Sequence, residues 1–423
     1  MAHLVDQLDV WLWTPGERKP VLAGRLTDEA VVVSFVYDPD FLPLPNAMPI
    51  FERDLPLGTG RQYPVAPHKL AHSLRDALPD RWGRRAIAAG LRAEGIACVA
   101  EDEIDDITLM LRTGPDRIGG LHFCRGGETP DLTTPFPPTL ETLARLVGII
   151  DAGDPVPPEL RPFIPQCASV GGARPKTLFT DVEAGRFIAK FVLTEDYPVV
   201  QAEFVAMRLA EHAGISVAPV QIERVNERPV LLVRRFDRQP HPAGGEMRHH
   251  MISALTWTQM GELSARHITY PQLATIMDET CYDPAEDKAE MFARIFFNIL
   301  VGNTDDHARN HAADWDGEQI HLTPAYDISP QRRTTRSANL AMALTDGSRA
   351  AQLANAAGVA PIFGVTVPDL RRLRERLVGA IREHWIDVCD EACLSEAERA
   401  GLAGRQFFSD YAFEGFGRTP RLR

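Results

Sequence analysis

The chain has 423 residues, more than one ordinary core accommodates, so two or three packed units are expected. Hydrophobic residues make up 44% and charged residues 24%, a soluble globular composition with no 18-residue apolar run to span a membrane. A formal net charge of −13 argues against a general nucleic-acid binder, leaving "RWGRR" (81–85) and "RRTTR" (332–336) as local basic clusters.

The opening "MAHLVDQLDVWLW" lacks a basic stretch followed by a long apolar run and a small-residue cleavage site, so no signal peptide is read and a cytoplasmic location is expected. Short apolar runs, "VWLW" and "AVVVSFVY", broken by "TPGERKP" and "DPDFLPLPNAMP", predict a small β unit over residues 1 to about 50. A helical stretch is expected around "HSLRDALPDRWGRRAIAAGLRAEG", followed by "DRIGGLHF". Residues 128–165 hold nine prolines around one helix-like segment, "TLETLARLVGII", and mark the expected boundary. The six cysteines, Cys98, Cys124, Cys167, Cys281, Cys389 and Cys393, form no CxxC pair and are expected to be reduced thiols.

From residue 166 the pattern changes. A glycine-rich turn, "SVGGARPK", leads into "TLFTDVEAGRFIAKFVL", two predicted strands joined at "EAG". In the second strand Ile188, Lys190 and Val192 share one face, which places a lysine in an apolar row. A helix after Pro198 carries Glu203 in its first turn, and "RPVLLVRRFDR" is one more strand. Beyond about 250 the chain reads as mostly helical. Asp283 and Pro284 open a helix with apolar Met291, Phe292, Ile295, Phe296 and Ile299, which Gly302 stops. A late stripe of Leu370, Leu373, Leu377 and Ile381 is expected to be core.

Directly behind Gly302 stands "NTDDHARNH" (303–311), readable as a solvated turn, a metal cage or a catalytic loop. Phosphoryl transfer needs a backbone-rich loop over the phosphates, a cation on them, a carboxylate at the attacking hydroxyl and oxygen ligands for magnesium. "SVGGARPK" can supply the loop, and Lys190 the cation, with Glu203 as its protein partner. Asp305 and Asn310 have the offset of Asp and Asn in the kinase signature H-R-D-L-x-x-x-N, although Asn303-Thr304 replace His-Arg. A "DG" turn and "EQIHLTPAYD" predict a hairpin returning Asp327 beside Asn310. The cage alternative would use Asp305, Asp306, His307 and His311 on zinc or manganese, and a metal hydrolase built on them would not need Lys190.

Taken in order, the amino-terminal β unit, "LPDRWGRRAI", "DRIGGLHF", "SVGGARPK", "FIAKF", "VRRFDR", "GNTDDHARN" and "YDIS" resemble the HipA-type serine/threonine kinases, toxins of bacterial toxin–antitoxin pairs, over nearly the whole chain. The resemblance implies an α+β, protein-kinase-like two-lobed fold. It comprises an extra N-terminal β subdomain (1–105), a Pro-rich connection (106–165), a β-rich N-lobe (166–240) and a mostly helical C-lobe (241–423). It implies ATP and Mg2+ as cofactors, Asp305 as catalytic base, and Asn310 and Asp327 as metal ligands. Nucleotide contacts would come from Gly171, Gly172, Ala173, Arg174, Pro175, Lys176 and Lys190, from the hinge Arg234, Arg235 and Phe236, and from His307, Ala308, Arg309, Asn310, Tyr326 and Asp327. Ser169 matches the serine that family members autophosphorylate in trans, where a phosphate's charge would repel ATP from the glycine loop. The resemblance further implies a separately encoded helix-turn-helix antitoxin of HipB type, DNA contact only through it, no membrane, and an aminoacyl-tRNA synthetase among family targets. Two readings stand beside the kinase: a non-catalytic nucleotide-binding scaffold that kept the fold, and the metal hydrolase.

Overall fold

The structure is a computed structural model that describes residues 4–96, 100–132, 137–193, 197–345 and 347–422; Cys98 lies outside them. The chain forms two compact units. One comprises residues 1–193, 223–252 and 314–318, the other residues 194–222, 253–313 and 319–423.

In the first unit β1 (Gln7–Leu12), β2 (Val21–Asp28), β3 (Val33–Tyr37), β4 (Arg61–Gln62) and β5 (Leu121–Arg125) make an antiparallel sheet in the order β4–β3–β2–β1–β5. Leu8, Val10 and Leu12 alternate along β1 and are fully buried, as the period of a strand requires. The helix expected over 72–95 is broken in two, His72–Arg75 and Arg81–Ala93, because Pro79 cannot continue the first. The proline-rich stretch also contains a full helix, Leu140–Ala152, capped by Thr139 and ended by Gly153 at φ +75°. It buries Leu143, Leu146, Val147 and Ile150 in one cluster with Trp82, Ile164, Phe187, Ala189 and Leu232.

A second sheet runs in the order β6 (Lys176–Asp181), β7 (Gly185–Phe191), β9 (Arg228–Arg234), with β8 (Val220–Val225) as its fourth member. The β6–β7 turn forms because Asp181 accepts the Glu183 and Ala184 amides and Gly185 takes φ +106°. Phe187, Ala189 and Phe191 enter the core, so Ile188 and Lys190 point to the opposite face, half-buried, as the alternation predicts.

The second unit is mainly helical. Its central helix, Pro284–Val301, starts where Asp283 accepts the Glu286 amide and ends at Gly302, φ +71°. Every residue from Met291 to Val301 is buried, so this helix is enclosed rather than amphipathic. In the helix Val367–Glu391, Leu377 and Ile381 are fully buried with Trp385 and Val388, but Leu370 and Leu373 are only half-buried. The expected stripe fails there because the first turns border a surface groove that Leu373 shares with Leu322 and Arg294. Among the described residues no helix is long and apolar enough to cross a membrane.

Candidate functional site

The predicted site residues fall in both units. In the first, Ser169 caps the short helix Ile164–Ala168; its hydroxyl donates to Pro165 O (2.8 Å) and accepts the Gly114 N–H (3.0 Å). Gly171, Ala173 and Arg174 follow as an exposed loop, Gly172 and Pro175 are half-buried, and Lys176 is buried at the start of β6. Lys190 pairs in register with Lys176 across the β6–β7 ladder.

Of the predicted hinge, Arg234 is exposed and Phe236 half-buried, but the Arg235 side chain is 1% exposed. It reaches Asp116 (3.0 Å) and both oxygens of Asp237 (2.9 and 2.8 Å). Arg238 joins the same two acids, and Arg186 binds Asp116 at 2.8 Å. Burial alone would raise the Asp237 carboxyl, yet Arg235, Arg238 and the Gly119 amide outweigh it and hold it far below the usual carboxylate range. The motifs "DRIGG" and "VRRFDR" therefore lock onto each other, and both the Arg235 side chain and its amide, which donates to Arg186 O (2.9 Å), are withdrawn from the predicted nucleotide role.

In the second unit the segment 303–311 is a loop with one 3-10 turn, Ala308–Asn310. Asp305 is exposed, while the adjacent Asp306 is 3% exposed. The Tyr270 hydroxyl donates to Asp306 Oδ2 at 2.5 Å, and His311 Nε2 lies 3.1 Å from Asp306 Oδ1. All three side chains are buried, and Asn303 donates to Asn298 beside them at 3.1 Å. Two neighbouring residues in an extended loop face opposite ways, so anchoring Asp306 inward turns Asp305 outward. Asn310 Nδ2 ties the loop back to Asp305 O (3.1 Å), and the Tyr326 hydroxyl donates to Arg309 O (2.7 Å). That bond, with Thr323 Oγ1 on Ala312 O, shows the segment before Asp327 returning to the loop as the hairpin reading expects. Asp327 itself has φ +56°, a conformation rare outside glycine and tolerated by aspartate. His307 is half-buried, and its Nδ1 has no hydrogen-bond partner among the described residues.

Glu203 is the fifth residue of the helix Val199–His212, one turn later than expected, and 2% exposed. The four-residue cage does not assemble: Asp306 accepts from Tyr270 and faces His311, and among the described residues no group of three metal-ligating acids, histidines or cysteines comes together. Each basic cluster has one arginine in close ion pairs, Arg85 with Glu101 and Asp151 and Arg336 with Glu414. Sequence reasoning missed Tyr270 and the brace it forms, since nothing in an Asp-Asp pair says which carboxylate turns inward.

The HipA-like C-terminal domain family matches residues 168–385, just over half the chain. The chain belongs to the HipA-type kinase family. The HipA N-terminal domain family matches residues 8–124 of this HipA-type chain as well. A Sinorhizobium fredii protein named as a kinase is 26% identical over 73% of this chain and 74% of its own length. The serine/threonine-protein kinase toxin HipA of Shewanella oneidensis is 29% identical over 34% of this chain and 37% of its own. A solved complex of Shewanella oneidensis HipA with HipB and operator DNA contains a chain superposing with a TM-score of 0.65 at 20% identity, covering 93% of this chain and 94% of that one. The fold of the HipA-type chain is thus α+β and kinase-like.

Proposed function

We propose that the chain is a Mg-ATP-dependent protein serine/threonine kinase, the toxin of a toxin–antitoxin pair. The observation that carries the reading is the split of the aspartate pair: Asp306 is buried and braced while Asp305 stands exposed on a loop that also bears Asn310. An exposed, positioned carboxylate is what a hydroxyl nucleophile requires as base. Asn310 and Asp327 are hard oxygen donors suited to magnesium, which would neutralise charge on the phosphates, and the unpartnered His307 Nδ1 fits a phosphate oxygen. Residues 173–176 and Lys190 bind the nucleotide phosphates, and the backbone of 234–236 the adenine. The likeness to a HipA chain solved with HipB and DNA supports a separate helix-turn-helix partner, with DNA contact through that partner. The protein substrate is a translation component such as an aminoacyl-tRNA synthetase, its phosphorylation arresting growth in the cytoplasm. Self-phosphorylation at Ser169 requires its hydroxyl to leave Pro165 and Gly114 first.

Lys190→Ala is the test. The kinase reading expects a higher KM for ATP together with a lower kcat; activity that survives the substitution unchanged would point to the metal-hydrolase chemistry instead, and ATP binding without turnover in wild type to a scaffold.

A further inference from the structure

Asp80 stands at the N-cap of the helix Arg81–Ala93, where an aspartate ordinarily turns its carboxylate onto the first-turn amides. Here its side chain makes no cap bond. Its Oδ2 accepts the Gly172 N–H at 2.6 Å, 92 residues further along the chain. Trp82, two residues later, grips the same loop twice: its backbone amide donates to Gly172 O (3.2 Å) and its indole Nε1 to Lys176 O (2.7 Å). The glycine pair is shaped for this contact. A Cβ on Gly171 would stand 2.8 Å from Asp80 Oδ2, and a Cβ on Gly172, whose φ is +111°, would collide with the folded-back Lys176 ammonium. So the two glycines admit a carboxylate and an ammonium of this chain, whereas the sequence suggested that they admit phosphate.

We infer that Asp80 is the positioning residue of the glycine loop: its carboxylate holds the Gly172 amide, fixes the backbone of 171–176, and sets the nucleotide-phosphate contacts at Ala173 and beyond. The inference rests on the kinase reading for its nucleotide half. An anion 2.6 Å from that amide occupies the place a phosphate oxygen would take, so the two cannot share it. The motif "LPDRWG" then acts through the loop and touches no substrate.

Two measurements on the full chain decide it. Hydrogen exchange without nucleotide should show residues 169–176 exchanging about tenfold faster in Asp80→Ala, with protection in β1 to β3 unchanged. Asp80→Asn keeps a side-chain carbonyl that can accept the Gly172 N–H and should recover most of the protection. Unchanged loop exchange, or loosening spread over the whole first unit, would overturn the inference. Steady-state assays should show the KM for Mg-ATP rising about tenfold in Asp80→Ala with kcat within twofold of wild type. Tighter ATP binding would identify the carboxylate as a competitor of phosphate and contradict a positioning role, as would an unchanged KM in an active kinase. Loop loosening in a chain that binds no ATP would uphold the contact while sinking the kinase reading.

Discussion

Tyr270→Phe removes one hydroxyl from beneath the loop 303–311 and leaves the ring. That hydroxyl lies 2.5 Å from Asp306 Oδ2, and both side chains are nearly fully buried. Burial alone would push the Asp306 carboxyl up, but His311, Tyr270 and Asn298 prevail and hold it below its ordinary value, so it is charged at neutral pH. A hydrogen bond to a buried charge contributes about 1.5–3 kcal/mol, and the variant leaves that charge one donor short, so a loss near 2 kcal/mol is expected at pH 7. Because the folded carboxyl is depressed, its contribution is complete above the unfolded value of about 4 and fades as pH falls through the folded value. The deficit of the variant should therefore shrink on acidification. Two units need not unfold together, so hydrogen exchange across residues 291–311 is the appropriate readout. The same loosening should lower kcat about tenfold with little change in the KM for ATP, since Asp305 is aimed by its neighbour. A cycle with Asp306→Asn should give a coupling above about 1 kcal/mol; additivity within about 0.5 kcal/mol would refute the brace.

Asp237→Asn should cost about 3–5 kcal/mol, because Arg235 and Arg238 would remain buried with one carboxylate fewer between them, and exchange at Gly119, whose amide binds Asp237, would report it. Retained protection at Gly119 would show the cluster to be dispensable. His72 is buried, and burial, then Arg75 and His68, push its pKa down to about 4. The unfolded chain, near 6.5, takes up a proton the folded one refuses, so stability of the first unit rises with pH between about 4 and 6.5 and is flat above, by some 1–3 kcal/mol. Urea midpoints at pH 5 and 7 should differ less in His72→Asn than in wild type; an unaltered difference would assign the slope to other groups.

What the sequence made legible was local. The cap of Asp283, the stop at Gly302 and the alternation that sends Lys190 away from the core depend on residues within a few positions of one another. The Asp305–Asn310 spacing carries the loop for the same reason. What stayed hidden joins distant segments: Tyr270 to Asp306 across 36 residues, Asp80 to Gly172 across 92, and Asp116 to Arg235 across 119. Arg235 illustrates the cost. Its place after a strand suggests a hinge contact, and only the fold reveals a guanidinium enclosed by Asp116 and Asp237. Pro79 was visible throughout, yet the helical composition around it hid the break it imposes.

The decisive measurement is phosphate transfer itself. The purified chain is incubated with magnesium and γ-labelled ATP, phosphate is mapped by mass spectrometry, and Asp305→Asn serves as the matched control. The expected result is label on Ser169 that disappears in the variant. Undiminished label in Asp305→Asn, or no label on a wild-type chain that binds ATP and whose intact mass shows Ser169 unmodified, would contradict a kinase with Asp305 as its base.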